Sequence, residues 1–408
     1  MTLILFINCG NNDGNNKSKN KIFIKVAIIF TLFVSLISCS NGKKNFSSEN
    51  YIDISQKSQV SVLDFFDSID VVQLETNDSC LISNSTKVIF SNNRYYILDV
   101  RQQIVLCFDS SGKFLFKINQ KGQGPREYLY LAEFNIDTFN NQLLLLEPFG
   151  HLLVFDLDGR FIEKIRLPKE IVAYNEVYPL SKENLGFISL NEYQLVYYSK
   201  IKNGITDKKY RMNPETSGGF FRISAYTYND SVYFYFPLTN NIIDVTGNII
   251  FSWNFGSRNN TNNQINKFKE VIKSENSGSG RDYIGEGKLN YKIERNYETS
   301  RFRICILDLG RFNFRHIFFD KKENQSFIFE KTKENINFLV LPDFYGEHII
   351  MYDKGIPKPK TNDPSLDEIL NKLLVYYNKE LLSEDQKKII DTRNEDDNPF
   401  LIKYNFKQ

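Results

Sequence analysis

Three histidines, one tryptophan and five cysteines in 408 residues leave this chain few of the side chains from which most metal and redox sites are built. His151, His316 and His348 form no His-Glu-x-x-His pair and have no carboxylates at ligand spacing, which excludes a metalloprotease of that kind. No Gly-x-Ser-x-Gly elbow offers a serine nucleophile. Lys121–Gly124 is no phosphate loop, because no Gly-Lys-Ser/Thr follows at the required spacing. Charge of one sign is missing as well. Lysine and arginine number 51 against 49 acidic residues, and a net charge of +2 gives no field for nucleic acid.

Long apolar runs are scarce too. Val26–Ile37 is the main one, about a dozen residues against the ~20 that a helix needs to span a bilayer. Lys17, Lys19, Lys21 and Lys25 precede it, and a basic region before a short apolar run reads as a secretory signal within a leader of residues 1–38. Leu36-Ile37-Ser38-Cys39 resembles the lipobox of bacterial lipoproteins, which makes Cys39 the lipidated first residue of a mature chain attached to the membrane through acyl chains. An ordinary cleaved signal with a chance cysteine is the alternative. Residues 39–50 then form a polar tether. No Asp follows Cys39 and no acidic cluster stands after it, which favours an outer-membrane position facing the periplasm. Met1–Asn16 reads as an upstream extension without a part in the fold.

Of the five cysteines, Cys80, Cys107 and Cys305 remain after Cys39 in the mature 370 residues. Cys107 lies inside an apolar run, where a buried inert thiol is expected. The three are too widely spaced for a zinc site or a disulfide framework, leaving room for one disulfide in an oxidising compartment.

What the chain has in abundance is Phe and Tyr, 35 and 23 residues, suited to pleated, half-buried strands. It also repeats. Ile104–Ile118, Leu152–Leu167, Val196–Tyr210 and Ile242–Trp253 each set a Gly turn between two strand-like runs. The turn glycines, Gly112, Gly159, Gly204 and Gly247, are 47, 45 and 43 residues apart. A period near ~45 residues of short β-runs predicts four-stranded blades stacked radially.

Residues 51–408 therefore read as an all-β fold, a six-bladed β-propeller with short helical insertions, closed by strands from both termini. Lys87–Ile118 and Phe134–Leu167 read as two blades, with Asn-rich hairpin turns at Asn92-Asn93 and Asn140-Asn141. Glu176–Tyr210 and Ile223–Phe255 follow. An insertion over about 257–299 includes a helical pattern at Asn262–Ser274, after which the fifth blade resumes at Phe302. Ser326–Phe329, Phe338–Leu341 and Glu347–Tyr352 are expected in the sixth. A second insertion, about 362–395, has Leu366, Ile369, Leu370, Leu373, Leu374 and Tyr377 on one helical face. It either caps the propeller or offers that face to a partner. Closure requires Phe400–Phe406 to meet Tyr51–Ile54 or Ile69–Leu74.

Lys121-Gly122-Gln123-Gly124-Pro125-Arg126-Glu127-Tyr128 resembles the GxGPGEY-type loop of six-bladed β-propeller lipoproteins of Bacteroidetes. Val71-Val72-Gln73-Leu74-Glu75-Thr76 is similar to that family's opening segment, and Asp397-Asn398-Pro399-Phe400-Leu401-Ile402 to its terminal strand. With the lipobox, the resemblance spans essentially the whole mature chain. Arg126 stands where the family more often has Gly. The resemblance implies a fold rather than an activity, since the family is broadly similar to the NHL repeat propellers, which mostly bind protein, nucleic acid or sugar.

Calcium-dependent hydrolase propellers need inward carboxylates, for which Glu75, Glu147 and Asp343 are candidates. The sharper candidate is the loop. Gly122, Gly124 and Pro125 set its shape, while Arg126, Glu127 and Tyr128 present a cation, an anion and an aromatic face. Those three residues either contact a ligand at a propeller rim or lock adjacent blades by hydrogen bonding. The expectation is a binding module of the envelope for a protein or a glycan, without cofactor, metal or turnover. A metal-dependent hydrolase or lyase using the central channel is the alternative.

The anchor is directly testable. Cys39→Ala should give a soluble protein or an uncleaved precursor. A processed Cys39→Ala protein that still fractionates with membranes and takes up labelled palmitate would refute the lipobox.

Overall fold

The computed structural model describes residues 51–83, 85–168, 174–189, 191–212, 219–275, 283–284, 288–310, 313–338, 343–353 and 377–408, with isolated residues 367 and 375. Its first strand, β1 (Phe66–Gln73), is held back for the last blade. Blade one is β2 (Ser85–Ser91), β3 (Arg94–Asp99), β4 (Ile104–Asp109) and β5 (Phe114–Ile118). Blade two is β6 (Glu133–Asp137), β7 (Gln142–Glu147), β8 (His151–Asp156) and β9 (Phe161–Arg166). Blade three is β10 (Tyr174–Pro179), β11 (Asn184–Ser189), β12 (Tyr193–Ser199) and β13 (Gly204–Arg211). Blade four is β14 (Ser224–Tyr228), β15 (Ser231–Tyr235), β16 (Asn241–Ile243) and β17 (Ile249–Ser252). Helix α1 (Asn262–Glu275) precedes blade five: β18 (Lys292–Glu298), β19 (Phe302–Asp308), β20 (Phe314–Asp320) and β21 (Gln325–Phe329). Blade six takes β22 (Asp343–Tyr345), β23 (His348–Asp353) and, after helix α2 (Glu384–Thr392), β24 (Phe400–Phe406). The six antiparallel sheets form a six-bladed β-propeller.

Burial explains the strand sequences. Second and third strands are covered on both faces by neighbouring blades, so β3, β4, β7 and β8 are almost wholly buried and read as unbroken apolar runs. Outer strands keep one face in water. Thus β5 alternates, with Phe114, Phe116 and Ile118 in and Leu115 and Lys117 out. Each repeat glycine joins a third to a fourth strand. Gly112 has φ +88°, and a Cβ there would fall 2.0 Å from the Gln73 carbonyl oxygen, so no other residue fits. Asp109 braces that turn by accepting from the main-chain N–H groups of Ser111 and Lys113 at 2.8 and 3.0 Å. At the third repeat the left-handed position belongs to Asn203 (φ 46°), not to Gly204.

The ring closes between the chain ends. β1 pairs antiparallel with β24 from Phe66↔Phe406 to Gln73↔Phe400, and β24 pairs on its other side with β23. The terminal strand is therefore interior to its sheet, and β1 is the edge. Helix α2 covers that edge, with the Gln386 amide donating to the Ile69 carbonyl at 2.7 Å. Buried Asn398 clasps the connection from blade six to blade one. Its amide donates to the carbonyls of Glu75 (2.6 Å) and Cys80 (2.9 Å), and its oxygen accepts from Ile82 N–H (2.8 Å). The two terminal segments that carry the family resemblance are thus bonded to each other.

Several boundaries differ from the sequence reading. Lys292–Glu298 is the innermost strand of blade five rather than part of the insertion, because its backbone pairs antiparallel with β19 along its length. Gln325–Phe329 completes blade five instead of opening blade six. Ile69–Gln73 makes the closing pair, whereas Ile52 donates to the Asn254 carbonyl at 2.8 Å beside blade four. Of the second insertion's apolar face, only Tyr377 lies among the described residues, its ring 5.8 Å from that of Phe400. Cys80, Cys107 and Cys305 are buried free thiols, so no disulfide forms among them.

Asn398→Ala strands three buried backbone groups and should lower stability by about 2–4 kcal/mol. Deleting Phe400–Gln408 should abolish the cooperative thermal transition altogether. A truncated protein that melts like its parent would show that the ring closes without β24.

Candidate functional site

The first strand of every blade lies at the axis, and together these strands wall a central channel of about 610 Å3. The two ends of the channel differ. Blade-to-blade connections, including the one that carries α1, lie on one face with the turns between second and third strands. The opposite face bears the short hairpin turns, with the start of β1 and the end of β24. Thr138, Asp230 and Gly346 of those short turns line the channel, and no described residue of the long connections does. Among the described residues, the turns that rim the channel are those of the short-turn face.

Three first strands, in alternate blades, carry an irregularity in register: between Ser85 and Lys87, Tyr174 and Glu176, and Ile293 and Arg295. A bulge re-aims the side chain beside it. The residues following the three slips are Lys87, Glu176 and Arg295, and all three line the channel. Lys87 and Glu176 are met locally. Lys87 pairs with Glu133 of the next blade and donates to the Phe134 carbonyl at 3.0 Å. Glu176 accepts from the Arg222 guanidinium and from the Tyr178 hydroxyl, both at 2.6 Å. Nearby, Lys292 donates to both oxygens of Glu294 at 2.8 Å.

Tyrosines supply most of the aromatic wall. Burial, followed by the Glu176 charge, holds the Tyr178 phenol well above its ordinary pKa, so it stays a neutral donor. Tyr297 donates to the Gly346 carbonyl at 2.7 Å and is likewise kept protonated, chiefly by burial. Burial pushes Tyr345 up to about 12. At the mouth Asn229 and Asp230 take left-handed φ values of 48° and 55°, forming a tight hairpin turn. From there Asp230 reaches across the axis and accepts a hydrogen bond from the Thr138 hydroxyl at 2.8 Å, linking blade four to blade two.

The loop singled out from sequence lies elsewhere, in the connection between blades one and two. Tyr128 is fully buried, and its hydroxyl donates to the Gln103 carbonyl at 2.6 Å. Gln103 in turn accepts from Leu131 N–H at 2.5 Å. The Glu127 carboxylate folds back onto Gly124 N–H at 2.8 Å, and the Glu127 carbonyl accepts from Lys164 of blade two at 2.6 Å. A Cβ on Gly122 would lie 2.0 Å from that carboxylate, so a side chain there would displace it. Pro125 and Arg126 are exposed, the Arg126 guanidinium 5.6 Å from the Phe161 ring centre. Cys39 lies outside the described residues.

Of the three candidate carboxylates only Asp343 stands on a channel strand, β22. Glu75 is held at the outer rim by Phe114 N–H (2.9 Å), and Glu147 is buried against Leu129 N–H (2.8 Å) and His151 Nδ1 (2.7 Å). Among the described residues no three His, Cys, Asp or Glu side chains gather where they could hold a metal ion. His316 is buried and stacked on Phe329 at 5.1 Å, where burial lowers its pKa to about 4 and keeps it neutral. The channel residues Lys87, Glu176, Arg295 and Asp230 were missed from sequence. The signal available was a charged residue opening an otherwise apolar first strand, as in Lys87 before Val88-Ile89-Phe90.

Residues 49–405 match the family model described as a domain of unknown function, DUF4934. Among solved structures, a candidate exported protein of Bacteroides fragilis aligns with 86% of this chain and 98% of its own, at 19% identity and a TM-score of 0.64. A member of the DUF4221 family from Bacteroides vulgatus aligns with 86% of this chain and 99% of its own, at 8% identity and a TM-score of 0.50. At such identities the likeness carries the fold alone. No curated protein matches the chain in sequence.

The loop's share in the blade interface can be measured. Tyr128→Phe removes one buried hydroxyl and should cost about 1–2 kcal/mol, whereas Arg126→Ala should stay within about 0.5 kcal/mol. A Tyr128→Phe protein with the parent's melting temperature would show that this bond contributes nothing.

Proposed function

The chain belongs to the DUF4934 family, and from that premise we propose that it is an exported, lipid-anchored binding module of the cell envelope, holding its ligand in the central channel without turnover. The observation that carries this is the set of three bulged first strands, which turns Lys87, Glu176 and Arg295 into one cavity. A concave site with a few convergent polar groups in an otherwise apolar scaffold is how ligand pockets are built. Propellers commonly bind at the axis because only there do all blades contribute.

Export is supported by the basic leader with its short apolar run and by the fold shared with a candidate exported protein of Bacteroides fragilis. No helix among the described residues is long and apolar enough to cross a membrane. Attachment in this reading rests on Cys39, with the module on the outer membrane facing the periplasm and an envelope protein or glycan as its partner. The alternative of a metal-dependent hydrolase or lyase has no donor set among the described residues to build on.

Thr227 is exposed on β14 and lines the channel, so Thr227→Trp narrows the cavity with little cost to folding. Fractionated envelope polysaccharide and envelope protein, passed over the immobilised protein, should bind the parent and Arg126→Ala but not Thr227→Trp. The reverse pattern would move the site to the blade one–two loop, and release of shortened products from a bound fraction would make the protein an enzyme.

A further inference from the structure

Resting on the channel reading, we propose that the ligand is the end of an uncharged glycan, entering from the short-turn face. The volume of about 610 Å3 falls inside the ~300–1,000 Å3 range of small-ligand sites. A folded protein surface would instead need roughly 800 Å2 of contact per partner, which a recessed channel does not provide.

The charges narrow the class further. Lys87 faces Glu133, Glu176 faces Arg222, and Lys292 faces Glu294, so these wall charges are balanced within the protein. A polyanion would have to break one of these pairs to use Lys87, at the cost of stranding the Glu133 carboxylate. The rim carboxylates already bond the way sugar hydroxyls are bound. Asp230 accepts from the Thr138 hydroxyl at 2.8 Å, and Glu347 accepts from Ser300 N–H at 2.7 Å and the Ser300 hydroxyl at 3.0 Å. A glycan hydroxyl can take the place of Thr138 on Asp230 without any change of charge, in a bond strengthened by the ionised acceptor.

The walls match the other half of a sugar. Tyr178, Tyr228, Tyr297 and Tyr345 combine apolar ring faces with hydroxyl edges, as a pyranose combines C–H faces with hydroxyls. Two further wall residues hold buried groups that have no protein partner, the Tyr226 hydroxyl and the Asn296 amide nitrogen.

The test uses the full mature chain against neutral oligosaccharides of glucose, mannose, galactose and xylose, beside polygalacturonate and heparin fragments of matched length. A neutral oligosaccharide should bind, with affinity nearly unchanged between low and high salt, because screening acts on charge. Asp230→Gly keeps the left-handed turn while removing the carboxylate, and together with Thr227→Trp it should weaken binding by at least about tenfold, or ~1.4 kcal/mol. Arg126→Ala should bind normally. Binding only to the anionic fragments, a steep fall of affinity with salt, or no binding to any oligosaccharide would overturn the glycan assignment. If an envelope fraction still requires an unblocked channel in that event, the channel reading stands and only the ligand class falls. If nothing bound responds to Thr227→Trp, both fall.

Discussion

Everything in this molecule depends on the pairing of β1 with β24. A propeller blade cannot bury both faces alone, so each sheet is stable only between two neighbours, and the first and last blades need each other as much as any adjacent pair does. A covalent chain cannot supply that last contact by continuing onward. It does so here by giving blade six three strands from one end of the fold and one from the other. Asn398 then fixes the register of the connection that follows, bonding to Glu75, Cys80 and Ile82 at once. The clasp joins segments more than 300 residues apart, so closing the ring orders a contact of very long sequence separation.

Closure is also what makes the channel a site. The first strands are the least apolar of the fold, because their inner edges face the axis instead of another blade. They carry charge where partners meet it, from a neighbouring blade as Glu133 does for Lys87 and Arg222 for Glu176, or from the same strand as Lys292 does for Glu294. A single isolated blade would leave these groups in water with nothing to hold their geometry. The ring brings six such edges together and shields them enough to keep the tyrosines neutral and firmly positioned.

The division of labour between the two faces follows from the same connectivity. Hairpin turns of two to five residues keep the mouth face short, and long insertions accumulate on the opposite face, where α1 rests on Leu238 and Leu289 through Phe268. The most recognisable motif of the chain, Gly122–Tyr128, belongs to that opposite face. Its distinctive composition reflects a tight return of backbone around the Glu127 carboxylate and a tyrosine driven between blades one and two. Its spacing records a packing constraint, and an exposed surface is left at Gln123, Pro125 and Arg126.

The sequence by itself determined the propeller: a period near ~45 residues, Gly and Asn at turns that require left-handed backbone, and apolar runs that admit only strands buried on both faces. It also determined that the termini must meet, since an open edge had to be closed. These signals are local or periodic, and survive being read along one dimension. It did not determine where the blade boundaries fall around the insertions, because Lys292–Glu298 and Gln325–Phe329 are short strands whose partners are identified only by pairing. Nor did it show the channel. Lys87, Glu176, Arg295 and Asp230 are single residues in four different blades, each unremarked among neighbours of its own. Only a closed ring, with bulges that turn three of them inward and a hairpin that carries the fourth across the axis, places them around one cavity.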